Sequence, residues 1–124
     1  MKTYSFRVGD GKHLVEAEVV AVGRDITVTI GGGDSFHVGA VAVASPRPSL
    51  KGDGTISASA SVICVMGHKD DEPARTAALA MAAKFERTVA VSVGLHIDNP
   101  TAEDFTIIQN NYSKILKLIC EQDF

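Results

Sequence analysis

The chain has 124 residues, a formal charge of −3 and a sequence pI near 5.7. That length suits one domain, residues 1–124, and the charge argues against a protein that coats nucleic acid, which needs a basic face. No apolar run approaches the roughly 20 residues of a membrane span, and with no Trp the core must come from Val, Ile, Leu and Ala.

The start, Met1-Lys2-Thr3-Tyr4-Ser5-Phe6-Arg7, brings charge too early for a signal peptide. Cys64 and Cys120 both lie among apolar residues without Cys-x-x-Cys spacing, which reads as two buried thiols in a reducing cytoplasm. Residues 3–8 alternate, with Tyr4, Phe6 and Val8 on one face, and Gly9 to Lys12 form a turn. A long valine-rich strand over 13–22 follows. Gly23-Arg24 makes a tight hairpin, and Ile26, Val28 and Ile30 mark a returning strand over 25–30. Gly31-Gly32-Gly33-Asp34 closes that strand.

A fourth strand spans Phe36 to Ala44. Ser45-Pro46-Arg47-Pro48-Ser49 is expected to leave the sheet, because two prolines lack N–H donors, so residues 45–55 form the longest irregular segment. A fifth strand runs from Ile56 to Met66. The period then changes. Ala74, Ala77, Ala78, Met81 and Phe85 share one stripe of a helix over 73–87, with more alanine at 80, 82 and 83. A sixth strand covers Val89 to Ile97. The last helix covers 101–121, with Thr101 as N-cap, Asp104 three residues on, and Phe105, Ile108, Tyr112, Ile115 and Ile119 as its apolar stripe. Short connections favour antiparallel neighbours. The expected fold is α+β: a six-stranded, mainly antiparallel sheet with two helices packed on one face. Alanine on nearly every face of residues 74–83 leaves slim apolar surface that a homodimer would cover.

The segment Gly67-His68-Lys69-Asp70-Asp71-Glu72-Pro73 joins the fifth strand to the alanine helix. A helix start offers unpaired N–H groups and a positive dipole end, which suit a phosphate. The same carboxylates also suit plain capping. Arg75 lies one turn further on. Ser57, Ser59 and Ser61 share a face that is either an ordinary wet sheet face or a small polar floor for a flat ligand. Gly39, two residues after His37 on one strand face, leaves space of the kind that marks a bulge or a ligand approach. Arg47 follows in the proline segment. His37, His68, His96 and Asp98 lack the local spacing of a metal site, and His13 has no company. No Gly-x-Ser-x-Gly elbow, Gly-x-Gly-x-x-Gly turn or Walker loop is present, so binding an anion fits the residues better than breaking a bond.

Three segments together carry a resemblance. They are His37-Val38-Gly39-Ala40-Val41-Ala42-Val43-Ala44, the run from Ile56-Ser57-Ala58-Ser59-Ala60-Ser61-Val62 through Gly67-His68-Lys69-Asp70-Asp71-Glu72, and Gly94-Leu95-His96-Ile97-Asp98-Asn99. Over roughly residues 25 to 120 the chain resembles the small prenylated-flavin chaperones found with gallate-type decarboxylases, the LpdD-like proteins, which are similar in fold to proteasome assembly chaperones. The resemblance implies a non-catalytic homodimer that binds prenylated FMN, or FMN, and passes it to a UbiD-type decarboxylase. By position, His37, Gly39, Arg47, Ser59, Ser61, Gly67, His68, Lys69 and Arg75 are the candidate cofactor-binding residues. The alternative is an assembly or scaffold protein that binds a protein partner and no cofactor.

Overall fold

The computed structural model describes residues 1–67 and 69–124. Six strands form one sheet: β1 (Thr3–Val8), β2 (Val15–Val22), β3 (Asp25–Gly33), β4 (Ala40–Pro48), β5 (Ile56–Cys64) and β6 (Val89–His96). Helix α1 (Asp71–Phe85) precedes β6, and α2 (Ala102–Cys120) follows it. The spatial order is β1-β2-β3-β6-β4-β5. Among the described residues only β3 and β6 pair in parallel; every other pair is antiparallel.

Register explains the single core. Ala17 lies across from Ile30, Ile30 from Val93 and Val93 from Ala40, so one face gathers the alternating apolar residues of all the central strands. Val15, Val19, Ile26, Val28, Val89 and Val91 are buried on that face. Each such side chain contributes about 1.5–3 kcal/mol when removed from water. Both helices lie there. Helix α1 covers β4, β5 and β6 with Ala74, Ala77, Ala78, Met81 and Ala82. Helix α2 covers β1 and β2 with Ile108, Tyr112, Ile115 and Ile119. Beneath α1 the strands carry Ala40, Ala42, Ala44 and Ala58, small enough for the helix to lie close. The α+β fold expected from the alternation and the period change is therefore present, and no described helix is long and apolar enough to cross a membrane.

Four local expectations are corrected. The proline segment stays in the sheet: Pro46 pairs with Ala58 and Pro48 with Ile56. Ser49 N donates to Thr55 O at 2.9 Å, so odd-numbered residues here turn their backbone groups toward β5. The prolines, at even positions, face the other side, where pairing with β6 has already ended at Ala44. No ladder donor is lost. The three glycines 31–33 extend β3 instead of closing it, and the fourth strand begins only at Ala40, after a loop over 34–39. Finally, Cys64 is exposed and Cys120 half-buried, because Cys64 ends its strand beyond the cover of α1.

The last helix begins with a complete capping box. Asp104 N donates to Thr101 Oγ1 at 3.1 Å, and Thr101 N donates to Asp104 Oδ2 at 2.9 Å. The same buried carboxylate takes His13 Nε2 at 2.8 Å and Lys12 Nζ at 3.2 Å, which ties the turn before β2 to α2. His13, which had no partner in sequence, is thus part of this clasp. The Thr101 N–H first, then His13, and then Lys12 hold the Asp104 carboxyl well below its ordinary 3.8, against the opposing effect of burial. A depressed native pKa contributes stability that is complete above the unfolded value and lost as pH falls below it. We therefore expect Asp104→Asn to lower the urea midpoint at about pH 7 and to flatten its fall between about pH 4 and pH 2.5. Parallel acid limbs in parent and variant would show that the clasp does not set acid stability.

Candidate functional site

The placement of β6 between β3 and β4 creates the site. The chain leaving β3 must cross the end of β6 to reach β4. Asp34 N donates to His96 O at 2.7 Å, and Gly39 N donates to Val93 O at 2.9 Å, so the 34–39 loop lies flat on that strand end. The fit is close enough that a Cβ on Gly94 would collide with the His37 carbonyl. His37 and His96 rings stand 6.4 Å apart, edge to face. His96 Nε2 meets Asp98 Oδ1 at 2.9 Å, and Asp98 N donates to Asp34 Oδ2 at 2.8 Å.

Asp70 holds three elements together. It stands at the N-cap of α1 but makes no side-chain cap hydrogen bond. Its carboxylate turns into the sheet instead, where Oδ2 accepts from His37 Nε2 at 3.1 Å and Oδ1 accepts from Leu95 N at 3.3 Å. The space left by Gly39 is filled by this carboxylate. That glycine therefore makes room for a neighbouring side chain.

Beside this contact lies a cavity of about 350 Å³. Leu95 near the end of β6, with Ile97 and Pro100 just after it, forms one wall. Phe105, Ile108 and Tyr112 of α2 form the facing wall, with Gln109 among them. Gly67, Lys69 and Pro73 bound it from the strand-to-helix connection. Tyr112 Oη donates to Pro73 O at 2.8 Å and so fixes α2 against the start of α1. Burial, then the charge of Asp70, raises the Tyr112 ionisation, which keeps that hydroxyl a donor. Phe105 belongs to the apolar stripe of α2 yet is 56% exposed, because its turn lies at the cavity mouth and not over the sheet. A wider, more polar depression of about 580 Å³ lies at the opposite end, beside Arg24, Arg87 and Phe124. It shares no residue with the strand-to-helix segment.

The nine residues proposed from sequence separate into groups. Gly67 and Lys69 line the cavity. His37 and Gly39 stand behind Asp70 in its wall. Arg47 donates from Nε to Ser59 Oγ at 2.8 Å, so this pair, with Ser61, occupies the sheet face away from the helices. Arg75 is exposed on α1. His68 lies outside the described residues. Leu95, Ile97, Phe105 and Gln109 carry no sequence signal beyond apolar periodicity and a helix surface position. Asp70 was legible as a cap residue, not as the acceptor for His37. Among the described residues no three His, Cys, Asp or Glu side chains are placed to hold a metal ion.

The cavity is lined mainly by apolar side chains, with Lys69 and Asp70 among them. The molecule is a small α+β protein with a mainly apolar cavity beside its strand-to-helix segment. The chain belongs to the prenylated flavin chaperone LpdD-like domain family, which its sequence matches over residues 9–122. No curated protein sequence matches it. Among solved structures it is similar to a chain of a novel chaperone complex for yeast 20S proteasome assembly. The identity is 17% and the TM-score 0.51, covering 95% of this chain and 91% of that one. At that identity the likeness is one of fold.

The Gly39 contact gives a direct test. A methyl at Gly39 must displace the Asp70 carboxylate, and overpacking of this kind costs about 1–3 kcal/mol. Gly39→Ala should destabilise the parent by that amount in urea unfolding. The same change should cost clearly less in an Asp70→Ala background, where the methyl has room. Equal costs in both backgrounds would place the strain elsewhere.

Proposed function

We propose that this chain is a non-catalytic cytoplasmic carrier that, as a homodimer, binds prenylated FMN and passes it to a UbiD-type decarboxylase. The family supports the ligand class, and one structural contrast supports the site. Two helices begin at the cavity. Helix α2 is closed by its capping box, whereas α1 has no side-chain cap because Asp70 is turned into the sheet. Pro73 has no N–H and Ala74 N donates to Asp70 O, so the N–H groups of Asp71 and Glu72 would meet an anion, beside the exposed Lys69. The phosphate would be held there, with the tricyclic ring between Leu95, Ile97 and Pro100 on one side and Phe105 and Tyr112 on the other. The residues fit the group: an apolar slot for the ring and one lysine, Lys69, for the phosphate, with the Asp70 carboxylate turned away to His37 and Leu95 N. Bound prenylated FMN supplies decarboxylation chemistry to the receiving enzyme; this chain orients and shelters it. The alternative of a cofactor-free assembly protein rests on the fold likeness alone, and a fold does not carry a partner.

Titration decides between them. A charge-assisted hydrogen bond contributes about 1.5–3 kcal/mol. Lys69→Ala should therefore weaken FMN binding by roughly ten- to a hundredfold, each tenfold being about 1.4 kcal/mol. Riboflavin, which lacks the phosphate, should bind parent and variant alike, and the urea midpoint should hardly move. Unchanged FMN affinity would put the phosphate at Arg75 or Arg47 instead. No flavin binding by the parent would leave the assembly reading.

A further inference from the structure

We propose that two copies of this chain join through the outer edge of β5, pairing about a two-fold axis at Ser59. The inference rests on the homodimer proposed above and names its seam. Strand β5 ends the sheet, so one of its two backbone rows has no ladder partner among the described residues. It is nine residues long and contains no Lys, Arg, Asp, Glu or Pro. Natural edge strands are short, charged, bulged or covered, because an open row of N–H and C=O groups pairs with other chains. The opposite edge follows that rule: β1 is six residues long and carries Arg7 in an ion pair with Glu16. Strand β5 has none of these charged protections.

The direction of the open row follows from the register. Ser49 N donates to Thr55 O, so odd-numbered residues of β5 turn their backbone groups to β4. Ile56, Ala58, Ala60 and Val62 therefore turn theirs outward. The sequence of that edge is its own near-mirror: Ile56-Ser57-Ala58-Ser59-Ala60-Ser61-Val62 reads almost alike in both directions. A two-fold axis at Ser59 sets Ala58 against Ala60 and Ile56 against Val62 as hydrogen-bonded pairs. It sets Ser57 against Ser61, and Ser59 against itself, as the pairs between. Every position then meets a residue of its own kind on the same sheet face, and β5 itself brings no charge to the seam; Arg47, which donates to Ser59 Oγ, lies on the face away from the helices beside the axis. A two-fold interface requires this self-complementarity; an unrelated partner strand does not. The result is one twelve-stranded sheet, with the slim, alanine-lined α1 helices on the same side of the seam.

The test uses the full chain. The parent should scatter light as a dimer at tens of micromolar. Val62→Pro removes one outward donor, which the parent's own ladder does not use, and should give a monomer with a native circular dichroism spectrum. In a Cys64→Ser background, Ser59→Cys should form a disulfide-linked dimer under mild oxidant, because facing residues of a non-hydrogen-bonded pair lie about 4.5 Å apart. Ser5→Cys, on the other edge, should not. This cross-link decides the question if Val62→Pro fails to fold. A dimeric parent with no Ser59→Cys cross-link, or a folded Val62→Pro that stays dimeric, would overturn the seam and leave the dimer, pointing to the sheet face around Val43 and Ile63. A monomeric parent would overturn both.

Discussion

The insertion of β6 between β3 and β4 is the constraint on which the rest of the molecule depends. Had β4 simply followed β3 in space, their connection would be a hairpin at the sheet end. With β6 in the gap, the 34–39 loop must pass over the strand's last residues and bond to His96 and Val93 on the way. A loop lying on a strand end needs small residues beneath it, which accounts for Gly94 under the His37 carbonyl. It also brings His37 from one connection and Asp70 from another within hydrogen-bonding distance. The site is thus a product of topology before it is a product of any motif.

Asp70 locks that crossing to the start of α1. An aspartate at an N-cap ordinarily closes its own helix. Here the carboxylate is taken by His37 and by Leu95 N, two groups that would otherwise leave the loop and the strand end less firmly joined. The helix start is left open as a consequence. Two carboxylates follow at Asp71 and Glu72, and both are exposed, so neither fills the vacancy from within the cavity. The arrangement exchanges a side-chain cap from Asp70 for a firm joint between loop, strand end and helix.

Much of the fold was legible because periodicity reports burial. Ile26, Val28 and Ile30 alternate since one sheet face is covered, and Ile108, Tyr112, Ile115 and Ile119 repeat at helical spacing for the same reason. Thr101 and Asp104 announced the capping box by chemistry acting within one turn. What was not legible depends on who lies beside whom. The insertion of β6 leaves no local mark, so its parallel pairing with β3 was hidden. Pro46 and Pro48 read as breakers because their tolerance depends on which edge is vacant. Gly39 read as space for a ligand because the occupant of that space, Asp70, is remote in sequence. Lys69 and Gly67 were found in the strand-to-helix run, but the walls of the cavity come from residues whose only visible trait is being apolar.

The two halves of the sheet are built to different thicknesses, and this explains why a cavity opens where it does. Under α1, the strands present alanines and the helix answers with alanines, so their axes come close. Under α2 the layer is made of Val15, Val19, Ile115 and Ile119, and it stands taller. Helices at unequal heights above one sheet cannot stay in contact along their whole length. They meet through Tyr112 and Pro73, where a hydroxyl spans the step. Beyond that contact, toward the first turn of α2, the step remains unfilled, and Phe105 overhangs it instead of packing down. The alanine content of α1 therefore does two things at once. It lets the helix lie close over β4 and β5, and it lowers one side of the groove so that an apolar slot lies open at the uncapped end of that helix.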